Sequence, residues 1–256
     1  MPISGRNPSA QMLTVHGRGF LIDCGEGTQQ QMRRCRLSFC KTEAVFISHI
    51  HGDHVFGLFG FLNSLGMFGY GGKLDIYGPN ALGGILKCYL AYWGEWLGYE
   101  IAFHPLAMKE PEVVHVSKWV EVQAFPLRHK IDCFGFRFDE RVASRHAGDA
   151  DYRPFSYAYC SDTMPFEDLS LWVKGVSTLY HEATYPVAMA EKAHGYYHST
   201  TEDAARCALA AGVGRLLVGH YSARITDFDA YLAECRRIFP NTFATRDGDN
   251  YDLTAL

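Results

Sequence analysis

The 256 residues are long enough to bury a core as one domain, and length alone argues only weakly for a second. About half the residues are apolar (48%) and a fifth charged (20%), which excludes a disordered or low-complexity chain. A net charge of -4 is not that of a typical basic nucleic-acid-binding domain, although a pair of cations held at one face would offset it locally.

In chain order, Gly19 to Cys24 is a short apolar run stopped by Gly25 and Gly27, which predicts a buried strand. Thr28 to Arg36 holds helix formers, and Ala44 to Ser48 is a second β-branched strand that stops at His49. The apolar run from Val55 to Tyr70 is interrupted by glycines and Asn63 and is shorter than the ~20 residues of a membrane span. Strands are expected at Leu74 to Tyr77, at Trp119 to Phe125 with alternating Val120, Val122 and Ala124, at Phe134 to Phe138 and at Tyr157 to Cys160. Ser177 to Tyr180 and Arg215 to Gly219 continue the pattern. Thr200 to Ala211 is a helix with Ser199 or Thr200 as N-cap, and Asp227 to Ile238 is another. Strands recurring with helices between them predict an α/β layered protein, and no linker or repeat divides residues 1–256. The N-terminus lacks a basic stretch followed by an apolar one, so no secretory signal is read there. Eight scattered cysteines without a CxxC pair read as reduced thiols, which is the cytoplasmic expectation.

The chemistry concentrates in the string SHIHGDH, where His49, His51, Asp53 and His54 follow directly on a strand. Imidazoles and a carboxylate suit zinc, and two ions ~3.5–4 Å apart need further ligands from elsewhere in the chain. A single histidine is most often a surface or core residue; four such groups in this register at a strand end are a metal site. Gly52 is read as the residue whose missing side chain lets the loop pack tightly.

The HxHxDH string resembles the signature of the metallo-β-lactamase superfamily. Its wider context, LIDCGEGTQQQ and FISHIHGDHVFGL, is similar to ribonuclease Z, the tRNA 3′-processing endonuclease. The likeness continues in order through FPLRHKIDCFGF, YAYCSDT, LYHEATY, HSTTEDAA and LLVGHYSAR. It implies an αββα sandwich of two mixed β-sheets flanked by helices, forming a single domain over 1–256. By matching motif, His49, His51 and His129 would hold one zinc and Asp53, His54 and His220 the other, with Asp162 bridging both. Mn2+ or Fe2+ suit the same N/O donors. The resemblance further implies that His198 protonates the leaving ribose oxygen with Glu182 orienting it. Asp53 would orient the attacking water or receive its proton, and Arg224 would contact phosphate. The substrate implied is precursor tRNA, the assembly a homodimer, with no membrane partner.

Two departures stand out. The chain opens at MPISGRNPSA, which is similar to the segment just after the Gly-rich turn that usually begins the family. Between the His129 and Asp162 motifs only Arg141 to Ser156 stands where the family carries a protruding tRNA-gripping arm, so that arm is expected near 141–156 to be short or missing. A short arm favours the alternative of a phosphodiesterase acting on small or cyclic phosphodiesters.

Overall fold

The structure, a computed structural model, describes residues 5–141, 152–225 and 227–254. Two compact units divide the chain, Met1–Ala107 and Met108–Leu256.

The first unit is built on a five-stranded mixed sheet of order β1-β2-β3-β4-β5. Strands β1 (Gln11–Val15) and β2 (Arg18–Ile22) form an antiparallel hairpin. The two linking residues, His16 and Gly17, both have positive φ (46° and 78°), the geometry that matches the right-handed twist of paired strands. Strands β3 (Thr42–Phe46), β4 (Lys73–Pro79) and β5 (Glu100–Leu106) then add in parallel. The connections carry helices α1 (Thr28–Arg34), α2 (Gly52–Val55), α3 (Leu58–Met67) and α4 (Asn80–Trp93). Helix α3 runs through the glycine-interrupted segment. Leu58, Phe61, Leu62 and Leu65 recur at helical spacing and are fully buried. At roughly 1.5–3 kcal/mol for each such side chain, that stripe outweighs a cost of ~1 kcal/mol per helical glycine. It packs with Val45, Ile47 and Ile76 of the sheet and with Leu82 and Leu86 of α4.

The second unit holds a seven-stranded mixed sheet of order β12-β11-β10-β9-β8-β7-β6. Strands β6 (Glu112–Val116), β7 (Val120–Pro126) and β8 (Phe134–Glu140) are antiparallel, as is the β8 pairing with β9 (Ser156–Cys160). Strands β9, β10 (Thr178–Glu182), β11 (Arg215–Gly219) and β12 (Thr242–Ala244) run parallel. Cys160 pairs with His181 and Glu182 with Gly219, so three parallel strands finish at one edge. Helices α5 (Leu169–Trp172), α6 (Ala190–Gly195), α7 (Thr201–Ala211) and α8 (Phe228–Arg236) complete the unit. Small residues let α7 approach closely: Ala204, Ala205, Ala208 and Ala211 are buried in one cluster with Leu179, Leu216 and Val218.

Every strand and helix expected from the sequence is present within a few residues. Strands β1, β5, β6 and β12 and helices α2, α3, α4, α5 and α6 were not foreseen. Residues 142–151, the centre of the expected short arm, lie outside the described residues. Among the described residues no helix is long and apolar enough to cross a membrane.

Candidate metal and acid-base groups

In the first unit the chain leaves β3 at Phe46, and His49, His51, Asp53 and His54 follow across the turn into α2, for which His51 is the N-cap. A Cβ at Gly52 would come within 2.4 Å of the ring of Phe56, an exposed side chain that can turn aside, so this contact does not by itself demand glycine. The turn after β2 lies against this loop. The Cys24 amide donates to the His54 carbonyl (2.8 Å), and a Cβ on Gly25 would sit 2.4 Å from the Asp53 carbonyl oxygen. The DCGEG and HGDH strings are therefore two walls of one structure, and glycine is required where their backbones touch.

Asp23, fully buried at the end of β2, organises the loop. Its carboxylate accepts from the Ser48 amide (2.8 Å), the Ser48 hydroxyl (3.0 Å) and His54 Nδ1 (2.7 Å). The proton roles follow in sequence. Ser48 gives its hydroxyl proton to Asp23, so its oxygen accepts from His49 Nδ1 (2.9 Å), and His49 keeps a lone pair on Nε2. With Nδ1–H donated to Asp23, His54 also presents an unprotonated Nε2. A carboxylate behind a ligating imidazole fixes tautomer and ring orientation in metal sites. His49 Nε2 stands 3.1 Å from His51 Nδ1, and the His49 and His54 rings lie 4.1 Å apart. Zinc–nitrogen bonds of about 2.0–2.1 Å at a tetrahedral angle set two nitrogens roughly 3.4 Å apart, so this donor pair fits a divalent ion. Asp23 itself has φ of 56°, a left-handed conformation that aspartate tolerates better than most residues.

In the second unit the polar side chains gather at the edge where β9, β10 and β11 end. Asp162 follows β9, Glu182 ends β10 and His220 follows β11. Asp162, His198 and His220 each offer a ligand atom, all within 4.8 Å of one another, with His220 Nε2 3.4 Å from Asp162 Oδ1. Glu182 is the fully buried hub. It accepts from the amides of Thr163 (3.1 Å), Thr184 (2.8 Å) and Ser199 (2.9 Å), from the Thr184 hydroxyl (2.7 Å) and from His198 Nδ1 (3.0 Å). Having given its proton to Glu182, the Thr184 oxygen accepts from His220 Nδ1 (2.9 Å), leaving His220 Nε2 on the Asp162 side. His129 donates from Nδ1 to the Tyr197 carbonyl (3.0 Å), which again leaves Nε2 unprotonated. His220 has φ of 59°, and a strained backbone at a polar cluster is a mark of function.

The electrostatics separate the histidines. Burial disfavours charge on His198, but the hydrogen bond and negative charge of Glu182 outweigh it and lift the imidazole above its ordinary value. Burial alone would raise the Glu182 carboxyl, whereas its bond and ion pair with His198 bring it below the usual range. The pair is a charge-assisted acid–carboxylate couple. His181, next door, is wholly buried, gives its Nδ1 proton to the Glu182 carbonyl (2.6 Å) and is held down by burial, so it stays neutral and structural.

The structure thus gathers His49, His51 and His54 in the first unit and Asp162, Glu182, His198 and His220 in the second. Asp53 lies in the first turn of α2, and His129 has its ring 5.4 Å from that of His198. Arg224 is exposed, its charge acting on Tyr185, whose ring lies 6.2 Å from that of His198. Helix α6 runs to Gly195 and ends before His198, so His194 and His198 do not form an i, i+4 pair on it, and His194 bonds Asp203 (2.8 Å). Asp23, Ser48, Thr184 and Tyr197 were missed. An aspartate closing the buried run GFLID is the one signal that pointed at Asp23.

Residues 6–212 match the protein family described as Anti-Pycsar protein Apyc1. A curated relative from Bacteroides fragilis, ribonuclease Z, is 33% identical over 284 aligned positions, covering 96% of this chain and 93% of the relative. Among solved structures, human tRNase Z, short form, superposes with a TM-score of 0.82 at 25% identity, covering 98% of this chain and 95% of that one. The metallo-β-lactamase fold protein YhfI from Bacillus subtilis follows at 0.78 and 18% identity, covering 97% and 92%, a likeness of fold.

Proposed function

The chain belongs to the ribonuclease Z family, matches the Apyc1 family over residues 6–212 and has the metallo-β-lactamase fold, and from that premise we propose that it is a metal-dependent endoribonuclease removing the 3′ trailer of precursor tRNA. The observation that carries the reading is the Glu182–His198 pair set among Asp162 and His220. Hydrolysis of a phosphodiester expels an alkoxide, which departs far better when an acid at hydrogen-bonding distance protonates it.

The ligand assignment follows the motifs. His49, His51 and His129 would hold one ion and Asp53, His54 and His220 the second, with Asp162 available to both; the donor set suits two zinc ions per subunit, with Mn2+ or Fe2+ as substitutes. Bound divalent ions supply an ionised water near neutral pH and offset charge on the phosphate oxygens. The remaining work belongs to side chains. Asp53 orients the attacking water or takes its proton. His198, held protonated on Nδ1 by Glu182, delivers the Nε2 proton to the ribose 3′-oxygen. Arg224 steadies the phosphate. Residues 1–256 act as a single metallo-β-lactamase domain, and the assembly is a cytoplasmic homodimer, checked by sedimentation of the purified protein.

A second reading, a phosphodiesterase for small or cyclic phosphodiesters, has its own support. The alignment with the B. fragilis relative runs over more positions than this chain has residues, 284 against 256, so the relative carries internal segments with no counterpart here. A short connection between β8 and β9 leaves little to grip a tRNA.

Zinc-loaded protein and His198→Ala are incubated with a precursor tRNA and with bis(p-nitrophenyl) phosphate. The first reading expects tRNA cut at the discriminator base, with a loss of about 10²–10⁴-fold in the variant. Hydrolysis of the small diester alone selects the second. Inactivity on both, with metal bound, overturns both.

A further inference from the structure

Helix α6 ends in a way that its residues do not favour. The His198 amide donates to the Ala193 carbonyl (2.9 Å) and the Tyr197 amide to that of His194 (3.1 Å). This is the closing pattern in which the residue just past the helix adopts a left-handed conformation, a place normally held by glycine. Here it is Tyr197, with φ of 61°. A bulky L-residue is strained at that angle. The chain has a glycine at hand, Gly195, but two residues too early to serve.

Tyr197 is 41% exposed and the neighbouring Tyr196 62% exposed, and among the described residues no side-chain hydrogen bond or ring stack holds either. The backbone geometry alone would be met better by glycine: the Tyr197 carbonyl that holds His129 Nδ1 belongs to the main chain. What glycine could not supply is the aromatic side chain. It stands immediately before His198 in sequence; one residue earlier the Tyr196 amide donates to the Lys192 carbonyl (3.1 Å), and the Lys192 ammonium lies 5.7 Å over the Tyr185 ring, itself 6.2 Å from the ring of His198. Exposed aromatic rings beside a cation form the surface on which unpaired bases stack.

We propose that Tyr197 is a substrate-positioning residue, stacking on an unpaired base of the RNA next to the bond being cut and so setting the reacting phosphate against His198. This rests on the reading that the substrate is a nucleic acid. The strain is retained because the residue that relieves it removes the ring.

The test measures KM and kcat on a precursor tRNA, together with Tm, for the wild type and for Tyr197→Gly, Tyr197→Leu and Tyr197→Phe. Stacking of one base supports a rise in KM of about tenfold for the glycine and leucine variants, larger than any change in kcat, while phenylalanine keeps the wild-type KM. The glycine variant has an unchanged or higher Tm, because the left-handed strain is gone. Leucine carries the same strain without a ring, so it separates stacking from bulk. A glycine variant with unchanged KM overturns the proposal, as does a lowered Tm, which would make the ring a packing element. A wild type that neither binds nor cuts the RNA removes the substrate reading and this proposal with it. Wild-type cleavage with indifferent variants removes the proposal alone.

Discussion

Two buried carboxylates, one in each unit, do comparable work with different reach. Asp23 closes β2 and takes its donors from a single loop: Ser48 and His54 lie within seven residues of each other. Glu182 closes β10 and draws in Thr163 from the connection before that strand and Thr184, His198 and Ser199 from the one after it. The first sets the tautomers of neighbouring imidazoles. The second ties two connections together and, through the same oxygens, raises the hold of His198 on its proton. Losing Asp23 should therefore be a metal-affinity defect, whereas losing Glu182 should damage fold and chemistry at once.

The largest effect is expected at Glu182. Glu182→Ala leaves buried amides of Thr163, Thr184 and Ser199 without their acceptor, each costing about 1–3 kcal/mol, so thermal unfolding should show severe destabilisation. Glu182→Gln keeps the volume and isolates the chemistry. His198 is raised by the Glu182 carboxylate, so it stays protonated as pH climbs past its ordinary value, and the acid function fades as pH rises through the raised value. With a neutral partner the alkaline limb of the pH–rate profile should move to lower pH. An unmoved limb would break the assignment of His198 as the acid. Asp23→Asn comes next: titration with zinc should show affinity lower by about 10–100-fold while melting of the metal-free protein changes less than in the Glu182 variants. If it melts as they do, the contrast between the carboxylates fails.

The smallest effect concerns Asp203, in the reciprocal cap with Thr200 that starts α7. Burial would raise its carboxyl, but His194 and the Thr200 amide and hydroxyl bring it below the ordinary value. A lowered folded-state value stabilises above the unfolded one near 3.8 and is lost as pH falls through it. Asp203→Asn should cost about 1 kcal/mol at neutral pH and flatten stability below pH ~4, read by urea titration.

How much of this could be read in advance divides along the same line. His49, His51, Asp53 and His54 drew attention in advance because four potential ligands stand side by side in the chain and a strand stops just before them. The strands β2, β3, β9 and β11 announced themselves as short apolar runs. Asp23 and Thr184 did not, because the histidines they hold, His54 and His220, lie 31 and 36 residues away and nothing local marks a hydroxyl as a relay between a carboxylate and an imidazole. Helix α3 was hidden by its glycines, although Leu58, Phe61, Leu62 and Leu65 carried the period. Tyr197 was invisible for a different reason: composition at 196–197 reads as a plain loop, and only the backbone angle shows that glycine belonged there.

The strand directions in the second sheet have one more consequence. The connection from Glu140 to Ser156 enters β9 at its beginning, while Asp162 leaves from its end, about 13 Å of extended chain away. The connection expected to carry a short arm and the proposed catalytic groups are thus attached to opposite ends of one rod. Residues can be added to or taken from that connection without moving Asp162, Glu182 or His220. Length there is a quantity that selection can adjust freely, so the range of substrates admitted can drift while the means of cutting them stays fixed.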